Sequence, residues 1–501
     1  MTVSLARDPR GAAAASYDLL VVGGGFYGAM LTLEAARRGL SVQLVERDDF
    51  GGATSWNSLR IVHGGLRYLQ SLDLSRYRES VAERRWFLQH FPDLVEPLPC
   101  LMPLYDPPRG GQLRRPAVLH LAISLNEMLS RDRNEGLRPD REVPAGRIVD
   151  AAEAARLFPA VDRAGLLGGA LWYDAVMPDS HRVLVEALRW AHRCGARTLN
   201  YTEAVGLRME AGRVTGLQAV DRESGESLEL RGRVVVNCAG PWSRELAGQF
   251  DKDVPELFRP LLAFNILLDR EPPAPMAVAV AARGKKAQTW FLLPWKGRTL
   301  AGTSYAPSPG GSGPGAPPDE ASVEDFLAAL NAAMPAIPGW DVRASEILRV
   351  CHGWLPAEAD GSAVPAGRPV IHDHGSHGGP QGLFSVSGVK LTTARAVAET
   401  TLGRLFEHLP APGWIGRPEA DPPLALDDFL NLAARDRDAA RDHLRGIVER
   451  QSVVHLEDLL LRRTDWGIYP EGTVAARLCT SLGWSVGRAR PEMRAAGRGS
   501  R

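Results

Sequence analysis

The spacing of apolar positions changes twice near the start of the chain, over residues 17–46, YDLLVVGGGFYGAMLTLEAARRGLSVQLVE. The LLVV run is nearly continuous, as in a strand that is buried on both faces. Apolar positions at helical spacing follow, and Gly39 stands where that helix should end. A second apolar run, SVQLVE, ends in Glu46. The pattern predicts a strand–helix–strand unit that opens an α/β domain.

Three glycines, Gly23, Gly25 and Gly28, form a G-x-G-x-x-G turn between the predicted strand and helix. In this context the first glycine permits a tight bend, the second lets the backbone approach a pyrophosphate, and the third lets helix and strand pack closely. The helix N-terminus offers free N–H groups to phosphates. Glu46, 18 positions beyond Gly28, can accept hydrogen bonds from an adenosine ribose. The spacing predicts a dinucleotide site and leaves NAD and FAD both open.

Two later strand-to-turn patterns favour FAD, because a long cofactor is contacted at several points. VVVNCAGPWS (234–243) is an apolar strand that ends in Ala-Gly-Pro-Trp. LFSVSGVKLTTARAVAETTLGRLF (383–406) predicts a strand, a Gly-x-Lys turn and a helix that begins near Thr392. A helix N-terminus there can stabilise negative charge on a reduced flavin ring. The predicted cofactor contacts in these segments are Ala239, Gly240, Gly388, Leu391 and Thr392.

The chain resembles FAD-dependent glycerol-3-phosphate dehydrogenases of the D-amino-acid-oxidase-like flavoprotein superfamily. The strings VVGGGFYGAMLTLEAARRGL, ATSWNSLRIVHGGLRYL, VVNCAGPWS, FLLPWKGRTLAGTS and SGVKLTTARAVAE occur in that family's order. The resemblance covers residues 17–405 and extends weakly to LEDLLLRRTDWG (456–467). It implies bound FAD, oxidation of an alcohol to a ketone, and electrons that usually pass on to a quinone.

The fold class expected from these features is α/β, with a Rossmann-like FAD-binding domain, an antiparallel-sheet substrate domain and a small C-terminal helical region. We assign residues 17–95, 165–255 and 345–405 to the FAD-binding domain. The substrate or cap domain takes residues 96–164 and 256–344, and the helical region with its basic tail takes 406–501.

The polar stretch 53–70 should, by the resemblance, run from the cofactor phosphates to the flavin ring and the substrate. Thr54, Ser55 and Ser58 are the predicted hydroxyl donors to pyrophosphate and flavin. His63 is the predicted catalytic base, because removing hydride from a carbinol requires the hydroxyl proton to leave. The alternative is a structural histidine that fixes the loop.

Arg67 and Tyr68 match family positions that face the substrate, and Lys390 lies in a Gly-x-Lys turn that we expect to face the flavin. We expect Arg67 and Lys390 to act in catalysis with His63, and Arg67, Tyr68 and Lys390 to contact substrate. Lys390 can stabilise an anionic reduced flavin or hold a substrate oxygen. The alternatives are a salt bridge of Arg67 to the following helix and an exposed Lys390 at a helix start, where its charge would oppose the helix dipole.

Two segments depart from the family and change the expected substrate. RPLLAFNILLDR (259–270) stands where the family has Lys-Gly-Ser-His, which leaves Asn265 as a polar contact. CHGWLPAEAD (351–360) stands where the family has Gly-Val-Arg-Pro-Leu, so Leu355 occupies the arginine position beside Trp354. Losing a charged partner to a phosphate costs roughly 1.5–3 kcal/mol. These departures predict intact flavin chemistry with weakened phosphate recognition.

The composition limits the classes of partner. Lys+Arg and Asp+Glu both number 59, so no net charge attracts nucleic acid or an anionic membrane. Five scattered cysteines indicate reduced thiols, and no run of about 18 uncharged apolar residues indicates a membrane span. We expect a cytoplasmic protein, at most peripheral to the inner face of the membrane. Its expected partners are a small hydroxylated substrate and a quinone acceptor, with a homodimer as one conceivable assembly.

Several other segments have simple interpretations. Residues 74–91 and 180–196 are predicted helices, the first of them packed in the core, and 291–304 a hairpin of the substrate sheet. The Pro/Gly-rich stretch 305–322 and HDHGSHGG (372–379) are predicted loops, the latter without a metal site. Residues 487–501 form an arginine-rich segment. We interpret it as a solvated tail, with weak binding to anionic lipid as the alternative.

Three functions follow from these patterns. The first is FAD-dependent oxidation of a polyol, sugar or cyclitol. The second is glycerol-3-phosphate oxidation with rearranged phosphate ligands, or amine oxidation. The third is a flavin-binding partner protein without turnover, which the presence of His63, Arg67 and Lys390 disfavours.

Overall fold

The computed structural model describes residues 3–70, 72–109, 115–282, 288–307, 314–334, 340–413, 416–420, 423–464, 466, 478 and 482, with only the main chain of Arg67 and Gln70. The chain forms two compact units. The first unit comprises Met1–Trp56, Ser180–Leu261 and Trp354–Arg501, and the second comprises Asn57–Asp179 and Leu262–Gly353. The division predicted from the sequence, with a separate helical region after residue 405, stays a prediction.

Strands and helices are interspersed along the described chain. The strands are β1 Ser16–Val22, β2 Val42–Val45, β3 Ile61–Val62, β4 Glu96–Tyr105, β5 Arg147–Asp150, β6 Leu166–Val176, β7 Arg197–Leu199, β8 Thr202–Glu210, β9 Arg213–Asp221, β10 Ser227–Asn237, β11 Pro260–Leu268, β12 Ala277–Ala281, β13 Thr289–Trp295, β14 Arg298–Pro307, β15 Ile347–Pro356, β16 Val370–Asp373 and β17 Leu383–Ser387. The helices are α1 Pro9–Ala14, α2 Phe26–Ala36, α3 Leu66–Gln70, α4 Leu74–His90, α5 Pro116–Leu129, α6 Ala151–Leu157, α7 Ser180–Arg193, α8 Ser243–Phe250, α9 Glu320–Ala333, α10 Ala394–Leu405, α11 Leu426–Arg435 and α12 Arg437–Arg450.

The first unit contains a sheet in the order β16-β17-β10-β1-β2-β7, with β9 paired to β10 and β8 paired to β9. The strands from β17 to β7 along this order run parallel. The central strands β1 and β2 are almost wholly buried, as the continuous apolar runs predict. The carboxyl ends of β2, β1, β10 and β17 therefore meet at one edge of the sheet, where ligands of open α/β sheets bind.

The second unit holds most of a sheet in the order β15-β11-β14-β13-β12-β4-β6-β3, with β5 paired to β6. Its hairpin β13–β14 is antiparallel, as predicted for residues 291–304. The pairing of β4 with β12 is parallel, so this sheet is mixed rather than purely antiparallel. Sheet and helices together confirm the predicted α/β class with a Rossmann-like first unit.

Helices of the first unit pack through buried charges as well as apolar surface. Glu34 of α2 is fully buried and forms ion pairs with Arg37 (2.7 Å) and Arg38. Arg38 also reaches Glu399 of α10 (3.1 Å), and Arg37 lies over the ring of Trp190 of α7. These contacts fix α2 against both helices, and α2 begins at the glycine turn.

The described part of the chain after α10 contains helices α11 and α12, in agreement with the predicted helical region. Helices α11 and α12 share an apolar cluster with the π-helical turn Asp458–Arg463. The basic tail 487–501 lies outside the described residues. No helix in the described ranges is long and apolar enough to cross a membrane.

Three sequence interpretations need correction. His372 lies in strand β16 rather than in a loop, because β16 pairs antiparallel with β17, and residues 375–377 form a 3-10 turn. Leu74, expected in the core, is 44% exposed at the start of α4. The predicted loop 305–322 begins only after β14 ends at Pro307, and residues 308–313 lie outside the described part of the chain.

Candidate functional site

The glycine turn after β1 is built by close backbone contacts. A side chain on Gly23, whose φ is +108°, would lie 2.5 Å from the carbonyl oxygen of Cys238. A side chain on Gly28 would lie 1.9 Å from the carbonyl oxygen of Gly23. A side chain on Gly25 would meet only the hydroxyl of Ser55, at 3.1 Å. The turn therefore has no room for a side chain at Gly23 or Gly28 and has more room at Gly25. A backbone that approaches a phosphate requires such room at the second glycine.

Two hydroxyl side chains of the segment after β2, those of Thr54 and Ser55, lie in the first unit. The hydroxyl of Ser55 accepts a hydrogen bond from the N–H of Phe26 (3.1 Å), at the first turn of α2. Its proton remains available to a ligand at the helix N-terminus. Thr54 donates its proton to the carbonyl oxygen of Trp354 and accepts from the N–H of that residue, both at 3.1 Å. Any bond from this threonine to the cofactor competes with that pairing, and the predicted contact stays a prediction.

Glu46 follows β2 and joins the glycine turn. Its carboxylate accepts hydrogen bonds from the N–H groups of Gly24 (2.6 Å) and Asp48 (2.9 Å). Burial raises the pKa of Glu46 above its ordinary value, while these N–H groups oppose that rise. Each carboxylate oxygen keeps a lone pair, so the residue remains able to accept bonds from a ribose.

The carboxyl end of β10 is held by a buried amide. Asn237 donates to the main-chain oxygen of Ser243 (2.7 Å) and to the hydroxyl of Ser385 on β17 (3.1 Å). It also accepts from the N–H of Ala239 (3.1 Å), and Gly240 follows with a φ of +55°. This bonding ties the end of β10 to β17 and presents the Ala239–Gly240 turn at the common edge.

The turn after β17 packs on helix α2. A side chain on Gly388 would lie 1.6 Å from the Cζ atom of Tyr27, so glycine is required for this contact. The hydroxyl of Tyr27 donates to the carbonyl oxygen of Lys390 (2.8 Å). Leu391 and Thr392 are partly exposed in the 3-10 turn that leads into α10. Two helix-start turns thus lie side by side in this unit.

These features fit a dinucleotide with a pyrophosphate at the N-terminus of α2. The N-cap residue Gly25 supplies no side-chain cap to this helix start, and a helix N-terminus attracts an anion through its dipole. The open side of Gly25 gives the backbone room to approach it. Glu46 and the Ala239 and Gly388 turns lie along the same sheet edge.

In the second unit, His63 lies opposite Asp174. Strands β3 and β6 are antiparallel with Ile61 opposite Val176, and continuing this register by two residues brings the pair together. The Nδ1 atom of His63 is 3.0 Å from Oδ2 of Asp174. The imidazole side chain is 51% exposed and its ring lies 5.6 Å from that of Phe291. Its Nε2 atom has no hydrogen-bond partner in the described part of the chain.

Asp174 is buried within a set of donors. Its Oδ1 atom accepts from the N–H of Gly64 (2.7 Å), and the indole N–H of Trp172 lies 3.3 Å from Oδ2. Arg84 of α4 lies 3.9 Å from Oδ1. Burial opposes ionisation, but the bond and charge of His63, the charge of Arg84 and the Gly64 N–H together lower the pKa of Asp174. The carboxylate is therefore ionised at neutral pH.

The sheet that carries Phe291, the aromatic neighbour of His63, also holds a buried amide, Asn265. Phe291 of β13 pairs with Gly302 of β14, and the carboxamide of Asn265 occupies the position where a Gly302 side chain would stand. Asn265 donates to the main-chain oxygen of Asn57 (3.0 Å) and accepts from the hydroxyl of Thr303 (2.8 Å). One N–H of this buried amide remains for a ligand.

The other predicted substrate residues have different surroundings. Tyr68 is buried in an apolar cluster with Leu69, Tyr77 and Val81, and the side chain of Arg67 lies outside the described residues. Ser58 accepts from the N–H of Arg60 (3.2 Å). Trp354 is buried and Leu355 is partly exposed, and both belong to the first unit with Lys390.

The sequence did not reveal Asp174, Arg84 or Trp172 as parts of this site. Asp174 lies 111 positions from His63, in a strand that otherwise reads as core. The only signal was an acidic residue inside the apolar run LWYDAV, where a buried charge requires a partner.

The histidine-rich segment forms a separate cluster in the first unit. His374 is buried, with Nδ1 2.8 Å from Asp251 and Nε2 2.9 Å from the hydroxyl of Ser385. The rings of His372 and His377 are stacked with centroids 4.4 Å apart. Within the described ranges, no group of three or more His, Cys, Asp or Glu side chains could hold a metal ion.

Comparison with known proteins gives matches over most of the chain. A family model described as FAD dependent oxidoreductase matches residues 18–403. Glycerol-3-phosphate dehydrogenase 1 of Mycobacterium bovis is 31% identical over 496 residues, covering 90% of this chain and 92% of that protein. A glycerol-3-phosphate dehydrogenase of Synechocystis sp. is 29% identical over 457 residues, covering 88% of this chain and 78% of that protein.

A solved structure supports the same fold. The glycerol-3-phosphate dehydrogenase from Bacillus halodurans, complexed with FAD, matches with a TM-score of 0.69 at 19% identity, covering 98% of this chain and 96% of that one. The resemblance inferred from the sequence is thereby confirmed, as is the choice of FAD over NAD. With a family match from residue 18 to 403 and a relative that is 31% identical over 90% of this chain, the chain belongs to the FAD-dependent oxidoreductases and is an enzyme that uses FAD.

Proposed function

We propose that this enzyme oxidises a secondary alcohol to a ketone and that its substrate is a neutral polyol, sugar or cyclitol. The observation that carries the proposal is the half-exposed imidazole of His63, whose Nε2 atom has no bond to any described residue and which lies beside Phe291. When bound, FAD supplies the acceptor for the hydride that leaves the carbinol carbon. The hydroxyl proton must also leave, and an imidazole is suited to accept it near neutral pH.

Two positions support a neutral substrate over a phosphate ester. Leu355 stands at the arginine position of the resembled family, and Asn265 stands in the segment that replaces its Lys-Gly-Ser-His. A dianion at either position would lack the charged partner that the resembled family supplies, which is unfavourable. A hydroxyl group, by contrast, can accept the remaining N–H of Asn265.

For the cofactor, we propose main-chain and hydroxyl contacts along the sheet edge of the first unit. The residues of this unit assigned to FAD are Gly23, Gly25, Gly28, Glu46, Thr54, Ser55, Ala239, Gly240, Gly388, Leu391 and Thr392. Ser58, which belongs to the second unit, is a further assigned contact. Arg67, Tyr68, Trp354 and Lys390 are proposed substrate contacts, and Lys390 would also favour negative charge on the flavin.

Glycerol-3-phosphate itself is the second candidate substrate. It is favoured by the names of the relatives from Mycobacterium bovis and Synechocystis, which are glycerol-3-phosphate dehydrogenases. In that case Arg67 would carry the phosphate without the arginine that Leu355 replaces. The electron acceptor is proposed to be a quinone for either substrate.

Anaerobic flavin bleaching tests the proposal directly. Purified holoenzyme is mixed with glycerol-3-phosphate, glycerol, other polyols, sugars, cyclitols, amino alcohols and amino acids, and the loss of flavin absorbance is followed. We expect a neutral polyol, sugar or cyclitol to bleach fastest at low concentration. Fastest bleaching by glycerol-3-phosphate would establish the second candidate, and fastest bleaching by an amine would establish amine oxidation. A flavin that dithionite bleaches but no substrate does would indicate a partner protein without turnover.

A further inference from the structure

We propose that Asp174 is the positioning residue for His63 and holds its proton on Nδ1, so that Nε2 is the atom that accepts the alcohol proton. The inference rests on the proposed function for its catalytic meaning, but the protonation pattern that it assigns can be measured without any substrate.

The hydrogen bonds around Asp174 determine which ring nitrogen carries the proton. An ionised carboxylate only accepts hydrogen bonds. The His63 nitrogen 3.0 Å from Oδ2 must therefore be a donor, which makes the neutral ring the Nδ1–H form. The opposite nitrogen, Nε2, then has its lone pair free on the exposed side of the ring.

The positive charge of Arg84 stabilises the ionised form of Asp174. The guanidinium of Arg84 is buried, donates to the main-chain oxygen of Tyr173 (2.5 Å) and lies 3.9 Å from Oδ1 of Asp174. It occupies the space that a side chain on Gly64 would fill, because a Cβ there would lie 2.1 Å from Nη1 of Arg84. Gly64 thus admits the cation and also supplies an N–H to Oδ1.

The proton transfer that this arrangement supports is simple. The alcohol O–H bond breaks, an N–H bond forms at Nε2, and the ring becomes an imidazolium. Its positive charge faces the ionised Asp174 across the Nδ1–H bond. A carboxylate in that position both orients the ring and stabilises the cation that forms.

Asp174→Asn is a sharp test because an amide has one acceptor oxygen instead of two. Oδ1 of Asp174 accepts from Gly64, while Oδ2 faces both the indole N–H of Trp172 and His63. If the asparagine oxygen keeps the bond to Gly64, its NH₂ group faces Nδ1. Nδ1 of His63 must then accept a hydrogen bond, so the ring proton moves to Nε2. A protonated Nε2 cannot accept the proton of the alcohol.

The first measurement is the ¹⁵N spectrum of histidine-labelled holoenzyme at alkaline pH, where free imidazole is neutral. The His63 signals are assigned by their loss in His63→Gln. We expect the Nδ1–H form in the wild type and the Nε2–H form in Asp174→Asn. An Nε2–H form in the wild-type protein would overturn the proposal, whatever the enzyme's substrate proves to be.

The second measurement is the rate of flavin reduction at saturating substrate, with the best compound from the panel. We expect Asp174→Asn to lower it by about 10²–10⁴-fold, the usual range for loss of a general base, with little change in substrate dissociation constant. Asp162→Asn is the matched control, because Asp162 is also a buried carboxylate paired with an arginine, Arg109, in the same unit. An equal loss in both variants would assign Asp174 a merely structural role. Should Asp174→Asn not fold, the wild-type spectrum alone decides the question.

Discussion

Arg463 forms a bidentate ion pair with Asp49, in which Nη1 donates to Oδ2 (2.8 Å) and Nη2 donates to Oδ1 (2.7 Å). Both side chains are completely buried, and Arg462 adds a third bond to the same carboxylate. Asp49 lies three positions after Glu46, beside the proposed ribose contact. The π-helical turn Asp458–Arg463 is therefore bound to the segment after β2 that holds the proposed ribose contact.

Breaking this pair should destabilise the protein strongly. Arg463→Leu leaves Asp49 with one cation instead of two, and removing one partner of a buried pair costs about 3–5 kcal/mol of unfolding free energy. Urea unfolding measures this loss. Arg441→Leu is the control, because Arg441 and Asp438 form an exposed pair at 3.5 Å whose loss should cost no more than about 1 kcal/mol. Equal effects of the two substitutions would contradict the role given to the buried pair.

The contribution of Asp49 should disappear at acid pH. Burial opposes its ionisation, but the charges and hydrogen bonds of Arg463 and Arg462 lower the pKa of Asp49 to about 2. A carboxylate with a depressed folded-state pKa stabilises the fold above its unfolded pKa, about 3.9, and loses that effect as pH falls through the folded value. The difference in unfolding free energy between wild type and Asp49→Asn should thus shrink from about pH 4 to about pH 2.

That difference also contains the coupling of Asp49 to its neighbour Asp458. Burial and the charge of Asp49 raise the pKa of Asp458, so its protonation acts in the opposite direction as pH falls. The contribution of burial is common to both proteins and cancels in the comparison, while the contribution of the Asp49 charge is lost in Asp49→Asn and does not cancel. A wild-type-minus-variant difference that is constant over this pH window would show that Asp49 is not ionised in the fold.

The turn at Gly388, a proposed cofactor contact, should tolerate no side chain. In Gly388→Ala the added methyl group overlaps the ring of Tyr27 and should cost about 1–3 kcal/mol while lowering the flavin content of the purified protein. Gly403→Ala is the control, because the space around Gly403 in α10 is open and alanine favours a helix. Adding Tyr27→Leu to Gly388→Ala should restore part of the stability. Wild-type FAD occupancy in the single variant would argue against this contact.

Sequence patterns predicted the elements whose signals are local. The LLVV run predicted β1, and three glycines predicted the tight turn between β1 and α2, since each requirement lies within a few residues. His372 was misassigned because glycine-rich sequence resembles a loop, whereas its strand depends on pairing with β17. Asp174 was missed for the same reason: its partners are brought to it by strand register and by helix α4, not by neighbours in sequence.

His63 should be needed for chemistry and not for cofactor retention. Its side chain is half exposed, so His63→Ala should leave stability and FAD content almost unchanged. Flavin reduction should slow by about 10²–10⁴-fold through loss of the base. His455→Ala is the control, because His455 is also a partly exposed histidine paired with a carboxylate, Glu223 at 3.0 Å, in the other unit. Unchanged reduction in His63→Ala would make this residue structural.

Restoring an arginine at position 355 should restore affinity for phosphate esters. Leu355 is partly exposed near the end of β15, so Leu355→Arg can extend its guanidinium without being buried as an isolated charge. A charge-assisted bond to phosphate is worth about 1.5–3 kcal/mol, which corresponds to roughly 10–150-fold tighter binding. The measurement is the dissociation constant for glycerol-3-phosphate relative to that for glycerol, from anaerobic flavin titrations. Leu355→Gln, which has similar length without charge, should leave that ratio near the wild-type value. If the wild-type enzyme already prefers glycerol-3-phosphate and Leu355→Arg does not tighten its binding, another cation recognises the phosphate and the neutral-substrate proposal falls.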